Sequence, residues 1–217
     1  MSEVEARFCT ELLAAAHDVS AFSSGEDETD MWLRCNALRA QQQGCARTRV
    51  LVHPGQTFVL GYYAVAPHDT YRENLPAATA GGLSIVPGYL IAQLAVDRSI
   101  QGQGMGAELL YDALQTIGAA SDVADGRLVI VDALHEQAAR FYERFGFTRI
   151  SRTSRLYVKI SRIRSSLAVR LTPIQPRRPE FGFAQSSETS DEALFEPMSE
   201  EDLSLWEDGP VFPKEIG

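Results

Sequence analysis

The chain has 217 residues, a formal net charge of −9, 45% hydrophobic residues and three cysteines. That length suits one domain of ordinary size plus an appendage, and no apolar stretch approaches the roughly 20 residues needed to cross a bilayer. The acidic start "MSEVEARFCTELLAAAHD" is wrong for a secretory or transit peptide. Cys9, Cys35 and Cys45 are odd in number with no CxxC pair, which favours reduced cytoplasmic thiols in buried packing over a disulfide or zinc framework.

Taken in chain order, "DETDMWLRCNALRAQQQG" reads as one helix, with Trp32, Leu33, Ala37 and Leu38 along one side and Gly44 as its stop. "RTRVLVHPGQTFVLGYYAVAP" reads as a hairpin turning at Pro54-Gly55. The stretch from Pro67 to Pro87, rich in Ala, Gly and Pro, reads as looser chain. "GYLIAQLAV" is a nearly continuous apolar run, as expected of a buried strand. Met105–Ile117 carries a helical stripe of Leu109, Leu110, Ala113, Leu114 and Ile117, ending at Gly118. "RLVIVDAL" is a second buried strand. Glu136–Phe145 reads as a helix with Ala138, Phe141, Tyr142 and Phe145 on one face and Gly146 as its stop. "FTRI" and "SRLYVKI" close with short strands. Strands alternating with helices predict an α/β or α+β fold.

Charge is unevenly spread. Residues 1–165 hold 16 Lys/Arg against 18 Asp/Glu, whereas residues 166–217 hold 4 against 11. Arg140–Arg164 alone carries a net +7, which suits either a polyanion-binding surface or a solvated face. Beyond Ser165, Pro, Ser and acidic residues mix with isolated aromatics, so the expectation there is a mostly disordered or docking extension. An anionic segment tethered beside that basic stretch would compete with RNA and restrain activity; the alternative is a solubilising end.

In "AVDRSIQGQGMGAELLYDALQTIG", three glycines at alternate positions join an apolar strand to a helix. Such a turn lets backbone N–H groups converge at the positive end of a helix, where a phosphate can sit. The GxGxG spacing lacks the GxGxxG and distant acid of dinucleotide folds, and there is no Gly-Lys-Ser/Thr of a P-loop.

Gln101-Gly102-Gln103-Gly104-Met105-Gly106 fits Q/R-x-x-G-x-G/A, and "DALHEQAARFYERFGFTRI" lies about 40 residues downstream. Together these resemble the two signatures of the GNAT acetyltransferase superfamily, and the fold so implied is a single mixed β-sheet flanked by helices. "YRENLP" and "QLAVDRSIQGQGMGAELLYDAL" further resemble the GNAT toxins of toxin–antitoxin pairs, which acetylate aminoacyl-tRNA. The resemblance spans roughly His17 to Ile163. This sequence departs from the toxin pattern at Glu73, where a second Arg is common, at Asp132, where His is common, and in the longer or looser stretch Ala77–Gly88.

The resemblance implies that backbone groups of Leu94, Ala95 and Val96 pair with the pantetheine arm of acetyl-CoA. Its pyrophosphate would rest on N–H groups of Gln101, Gly102, Gln103, Gly104, Met105, Gly106 and Ala107. Tyr142 would protonate the departing thiolate, which its ordinary pKa of about 10 allows at neutral pH. An aromatic core role is the alternative that periodicity alone supports. No residue stands out as a general base; His135 and Glu136 lie at a helix start and read as capping groups. An α-amine with a pKa of about 7.7–8.0 hardly needs one.

Arg72, Arg149, Arg152 and Arg155 are candidates for contacting tRNA phosphates. The implied partners are acetyl-CoA, aminoacyl-tRNA, an antitoxin of the ribbon-helix-helix type and a second copy in a homodimer, with no metal and no membrane. Residues 1–165 form the expected catalytic domain and 166–217 the tail. Two alternatives stand beside the tRNA reading: an acetyltransferase for a small-molecule or protein amine, and a non-catalytic acetyl-CoA-binding regulatory module.

Overall fold

In the computed structural model, residues 8–150 and 153–171 are described; the acidic tail, with its expected restraint, and Arg152 lie outside them. The elements in order are strand β1 (Cys9–Leu12), helices α1 (Asp27–Cys35) and α2 (Ala37–Gln42), strands β2 (Arg47–Val52) and β3 (Gly61–Tyr71), the short helix α3 (Ala77–Ala80) and strand β4 (Ile85–Val96). There follow helix α4 (Met105–Ala124), strand β5 (Leu128–Asp132), helix α5 (Glu136–Arg144), strands β6 (Thr148–Arg149) and β7 (Arg155–Lys159), and helix α6 (Ile160–Leu171).

The strands form one mixed sheet in the order β1-β2-β3-β4-β5-β7-β6. Only β4 and β5 run parallel; the other pairs are antiparallel. The single mixed sheet flanked by helices is therefore the one the sequence implies. Alternation along each strand divides the core by face. Tyr63, Val129, Val131, Leu156 and Val158 pack with α4 and α5 on one side, whereas Tyr62, Val50 and Val52 pack with α1 and α2 on the other. On that second side a separate cluster holds Val86, Leu128, Ile130 and Tyr157 beneath α3.

Helix α4 buries Leu109, Leu110, Ala113 and Ile117 completely. Burying each large aliphatic side chain contributes about 1.5–3 kcal/mol, so this stripe anchors the helix to the sheet. The helix also continues past its expected end. Gly118 is a buried interior residue whose carbonyl accepts the Ser121 hydroxyl at 2.8 Å, and the apolar stripe, not the glycine, fixes the helix.

Other boundaries differ too. The first helical stretch is two helices broken at Asn36, whose φ of −116° departs from helical geometry. The chain from Pro67 is not loose at first: β3 runs on to Tyr71, paired with Ile85 at the start of β4. Phe145 lies just beyond α5 and is 44% exposed, so it leaves the core face assigned to it. All three cysteines are exposed, against the expectation of buried packing. Helix α6, unread in the sequence, crosses position 165. Among the described residues no helix is long and apolar enough to cross a membrane.

Candidate active site

The parallel contact between β4 and β5 is brief. It pairs Gly88 with Leu128 through Ile91 with Val131, and then the two strands part. The cause lies in β4. Its register with β3 shifts between Ala64 and Val65, so that Ala92 is an extra residue in β4, a bulge that bends the strand. Gly88 permits the close approach at the other end: a Cβ there would stand 2.3 Å from the Leu128 carbonyl oxygen. Beyond the bulge, Gln93 to Val96 stay paired with β3 but have no partner in β5. Leu94, Ala95 and Val96 therefore lie on the open side of a splayed strand pair.

The chain leaving β4 makes a one-turn 3-10 helix at Arg98–Ile100 and then the glycine turn. Gly102 (φ 74°) and Gly104 (φ 85°) are left-handed, a conformation costly for residues with a Cβ, and Gly104 caps α4. Gly106 has no such constraint. A Cβ there would meet the Phe141 ring at 3.8 Å, so its hydrogen side chain leaves space rather than permitting a turn. Gln101 is already engaged: its amide reaches the Arg98 carbonyl at 3.4 Å, and its side-chain Nε2 donates to the carbonyls of Val96 (2.9 Å) and Ser24 (2.7 Å).

A cleft of about 470 Å³ opens over the turn, walled by Gly102, Gly104, Gly106 and Ala107 on one side and by Phe141, Arg144 and Phe145 of the α5 region on the other. At the start of α4 the Met105 and Gly106 N–H groups have no intrahelical acceptor, whereas the Ala107 amide donates to the Gly104 carbonyl at 2.9 Å; the free pair makes this end attractive to an anion. Arg144 has no ion-pair partner among the described residues. Its cation on that wall escaped the sequence reading because it sits inside a run of eight basic residues.

Tyr142 is buried in the cluster that also holds Val96 and Val131, one residue from each parting strand. Its ring packs on Phe141 and Phe147, with centroids 5.2 and 5.5 Å away. Burial pushes its phenol up to about 12, so it holds its proton throughout the neutral range. Its hydroxyl has no hydrogen-bond partner among the described residues. His135 is the N-cap of α5, its Nδ1 accepting from the Ala138 amide at 3.1 Å, while Nε2 faces Glu26 Oε1 at 3.7 Å. The capping reading of His135 is thereby the structural one.

A support of the turn that the sequence did not single out is the loop Ser23–Gly25. The Ser23 amide donates to Asp97 Oδ2 and its carbonyl accepts from the Arg98 amide, both at 2.9 Å. Burial pushes the Asp97 carboxyl up, but hydrogen bonds from Ser99 and from the Ser23 amide outweigh it and hold the group below the ordinary range. Ser24 donates through both its amide and its hydroxyl to Asp30, which is 3% exposed. The glycine turn and this loop are thus one stitched unit.

The candidate phosphate contacts divide. Arg149 is bidentate to Glu136 at 2.9 and 3.0 Å and reaches Glu143 at 3.1 Å. Arg155 is bidentate to Asp132 at 2.8 Å. Arg140 pairs with Glu136, and Arg164 with Asp122. Much of the basic stretch is therefore matched locally by carboxylates that lie outside it in sequence. Arg72, in a one-turn 3-10 helix after β3, is exposed and has no carboxylate partner among the described residues.

The family model of the acetyltransferase (GNAT) domain matches residues 47–149. A tRNA-acetylating toxin of Mycobacterium tuberculosis is 38% identical over 149 residues, covering 68% of this chain and 88% of that protein. A probable toxin TacT of Sinorhizobium fredii is 29% identical over 160 residues, covering 69% and 88%. Among solved structures, a Tyr-to-Phe mutant of KacT superposes with a TM-score of 0.70 at 25% identity, covering 74% of this chain and 99% of that one. AtaT complexed with acetyl-methionyl-tRNAfMet gives 0.68 at 27% identity, with 74% and 99% covered. Turn, splayed strands, buried tyrosine and these relatives agree: the chain belongs to the GNAT acetyltransferases, in the family of the tRNA-acetylating toxins.

Proposed function

We infer that the protein is an acetyl-CoA-dependent N-acetyltransferase whose acceptor is the α-amine of an aminoacyl-tRNA, so that its action blocks translation. The observation that carries this is a glycine turn together with a buried tyrosine side chain, its hydroxyl without a partner among the described residues, beside a parted β4–β5 pair. Its relatives add the substrate: one is named a tRNA-acetylating toxin, and AtaT is solved with acetyl-methionyl-tRNAfMet and, in other structures, with acetyl-CoA.

Each residue has a role in this reading. Backbone groups of Leu94, Ala95 and Val96 bind the pantetheine arm, and the amides of Gly102 to Gly106 bind the pyrophosphate with Arg144 as the added cation. The neutral α-amine attacks the thioester carbonyl; the N–C bond forms and the C–S bond breaks. Tyr142 gives its proton to the leaving thiolate, and the amine's surplus proton passes to water. Arg72 contacts tRNA phosphate. Residues 1–165, with α6 continuing to Leu171, form the catalytic domain, and the remainder is an appendage. AtaT is solved with the C-terminus of the antitoxin AtaR, and on that basis we extend an antitoxin partner to this chain; a homodimeric state and a cytoplasmic site of action complete the proposal without support from that complex.

The deciding experiment incubates the protein with labelled acetyl-CoA and total charged tRNA, then identifies the labelled ester. Label on the α-nitrogen of an aminoacyl ester is expected. Label only on free amines or proteins would overturn the tRNA reading, and acetyl-CoA binding without thiol release would overturn the enzyme reading.

A further inference from the structure

The sheet face opposite α4 and α5 carries two buried clusters, one under α1 and α2 and the other under α3. Between them Ala66, His68, Leu90 and Gln93 are only half-buried. These residues make a half-buried strip of β3 and β4, termed the trough, on the face away from the glycine turn's helix. Asp132 ends β5 one residue beyond the last parallel pair, Ile91 with Val131, so it stands where the strands separate. Its neighbours Val129 and Val131 belong to the α4 side, and by alternation Asp132 faces the trough.

Asp132 is fixed from behind. Arg155, its cross-strand partner on β7, donates Nε to Oδ1 and Nη2 to Oδ2, both at 2.8 Å. Arg155 Nη1 reaches His68 Nε2 at 3.3 Å. Because the guanidinium can only donate, Nε2 is the acceptor and the imidazole is the neutral Nδ1–H tautomer. Burial and the neighbouring guanidinium hold His68 below its ordinary value, which keeps it uncharged at neutral pH. The array therefore places one oriented carboxylate, 45% exposed, at the lip of the splay without an unmatched cation beside it. A carboxylate held by a bidentate guanidinium keeps lone pairs available for a further donor.

We propose that Asp132, oriented by Arg155 and His68, is the residue that binds the acceptor's α-amine at the mouth of the splay. It accepts an N–H of the incoming amine, so the nitrogen enters from the trough while acetyl-CoA enters from the opposite face. Arg155 and His68 act through Asp132 as positioning residues. The proposal rests on the aminoacyl-tRNA reading and deepens it by assigning the amine-recognition group.

The test compares wild type, Asp132→Asn, Asp132→Glu and Arg155→Lys in the full chain. Asp132→Asn should raise KM for charged tRNA about tenfold or more, the size of one charge-assisted hydrogen bond, while acetyl-CoA affinity stays at the wild-type level. Asp132→Glu should recover part of the loss, and Arg155→Lys should reproduce a smaller version of it. Affinity for deaminated acyl-tRNA, which has no α-nitrogen to donate, should be the same in wild type and Asp132→Asn. An unchanged KM in Asp132→Asn, or an equal loss of affinity for the deaminated tRNA, overturns the proposal. If wild type itself fails to acetylate charged tRNA, the substrate reading fails first. The same four proteins are then compared on the α-amine of an amino-acid amide, where an unchanged KM in Asp132→Asn again sinks the Asp132 assignment.

Discussion

Replacing Tyr142 by Phe removes one oxygen from a side chain that is 8% exposed and otherwise packed on Phe141 and Phe147. Because that hydroxyl has no partner among the described residues, the change orphans no donor or acceptor. Folding stability near neutral pH should therefore stay within about 0.5 kcal/mol of wild type. With its phenol pushed up to about 12, only about one molecule in ten thousand is ionised at pH 8, so nearly all carry the proton that the thiolate needs. Losing a positioned general acid lowers turnover about 10²–10⁴-fold, which corresponds to about 3–5 kcal/mol of barrier. The assay is thiol release with charged tRNA under saturating acetyl-CoA, with calorimetric acetyl-CoA affinity as control. Affinity should hold while turnover collapses. Alkaline stability supplies a second check. The folded phenol keeps its proton between pH 10, where the unfolded chain loses it, and about 12, so its contribution is complete below pH 10 and is lost as pH climbs through that window. The Phe variant should lose less stability there. Wild-type turnover in a folded variant would refute the acid role and return Tyr142 to the core.

Gly104→Val forces a branched residue to a φ of 85° with nothing of the protein within 4 Å of its Cβ; melting should fall by a few degrees while acetyl-CoA affinity drops tenfold or more, as measured by thermal scan and titration. Arg144→Ala should weaken acetyl-CoA binding most at low salt and leave chemical denaturation unchanged, since the guanidinium has no partner among the described residues. Gly88→Ala should destabilise the fold by about 1–3 kcal/mol in urea, because its Cβ would meet the Leu128 carbonyl oxygen at 2.3 Å. Arg72→Ala should reduce tRNA affinity and shrink the slope of log affinity against log salt by about one; an unchanged slope removes Arg72 from the interface.

The parts of the site legible in sequence are those set by local backbone rules. Glycine at 102 and 104 announces left-handed turns, and the spacing of Ala138, Phe141 and Tyr142 announces the helix; of these Tyr142 is buried, Ala138 and Phe141 are half-buried, and the other buried residue, Ala139, escaped the sequence. What escaped depends on chain brought together from afar. Arg149 and Arg155 lie in a stretch with one acid, yet their partners Glu136 and Asp132 come from α5 and β5, so a local charge count could not pair them. The Ser23–Gly25 loop supports the glycine turn only because Asp97, more than seventy residues later, takes its amide. The division at Asn36 and the persistence of α4 through Gly118 are likewise decided by packing on the sheet rather than by propensity.

The parted strands also set a clock on the backbone. Along Gln93 to Val96, alternate amides turn toward β3 and are held in its ladder, while those turned toward β5 have no strand to meet. In the uncomplexed protein these two sets should exchange with deuterium at rates that differ sharply between adjacent residues of one strand. A pantetheine arm laid along the gap takes the place of the missing strand and erases the alternation. Residue-resolved exchange along a single strand therefore reports occupancy of the site, with no need for turnover or for an identified acceptor.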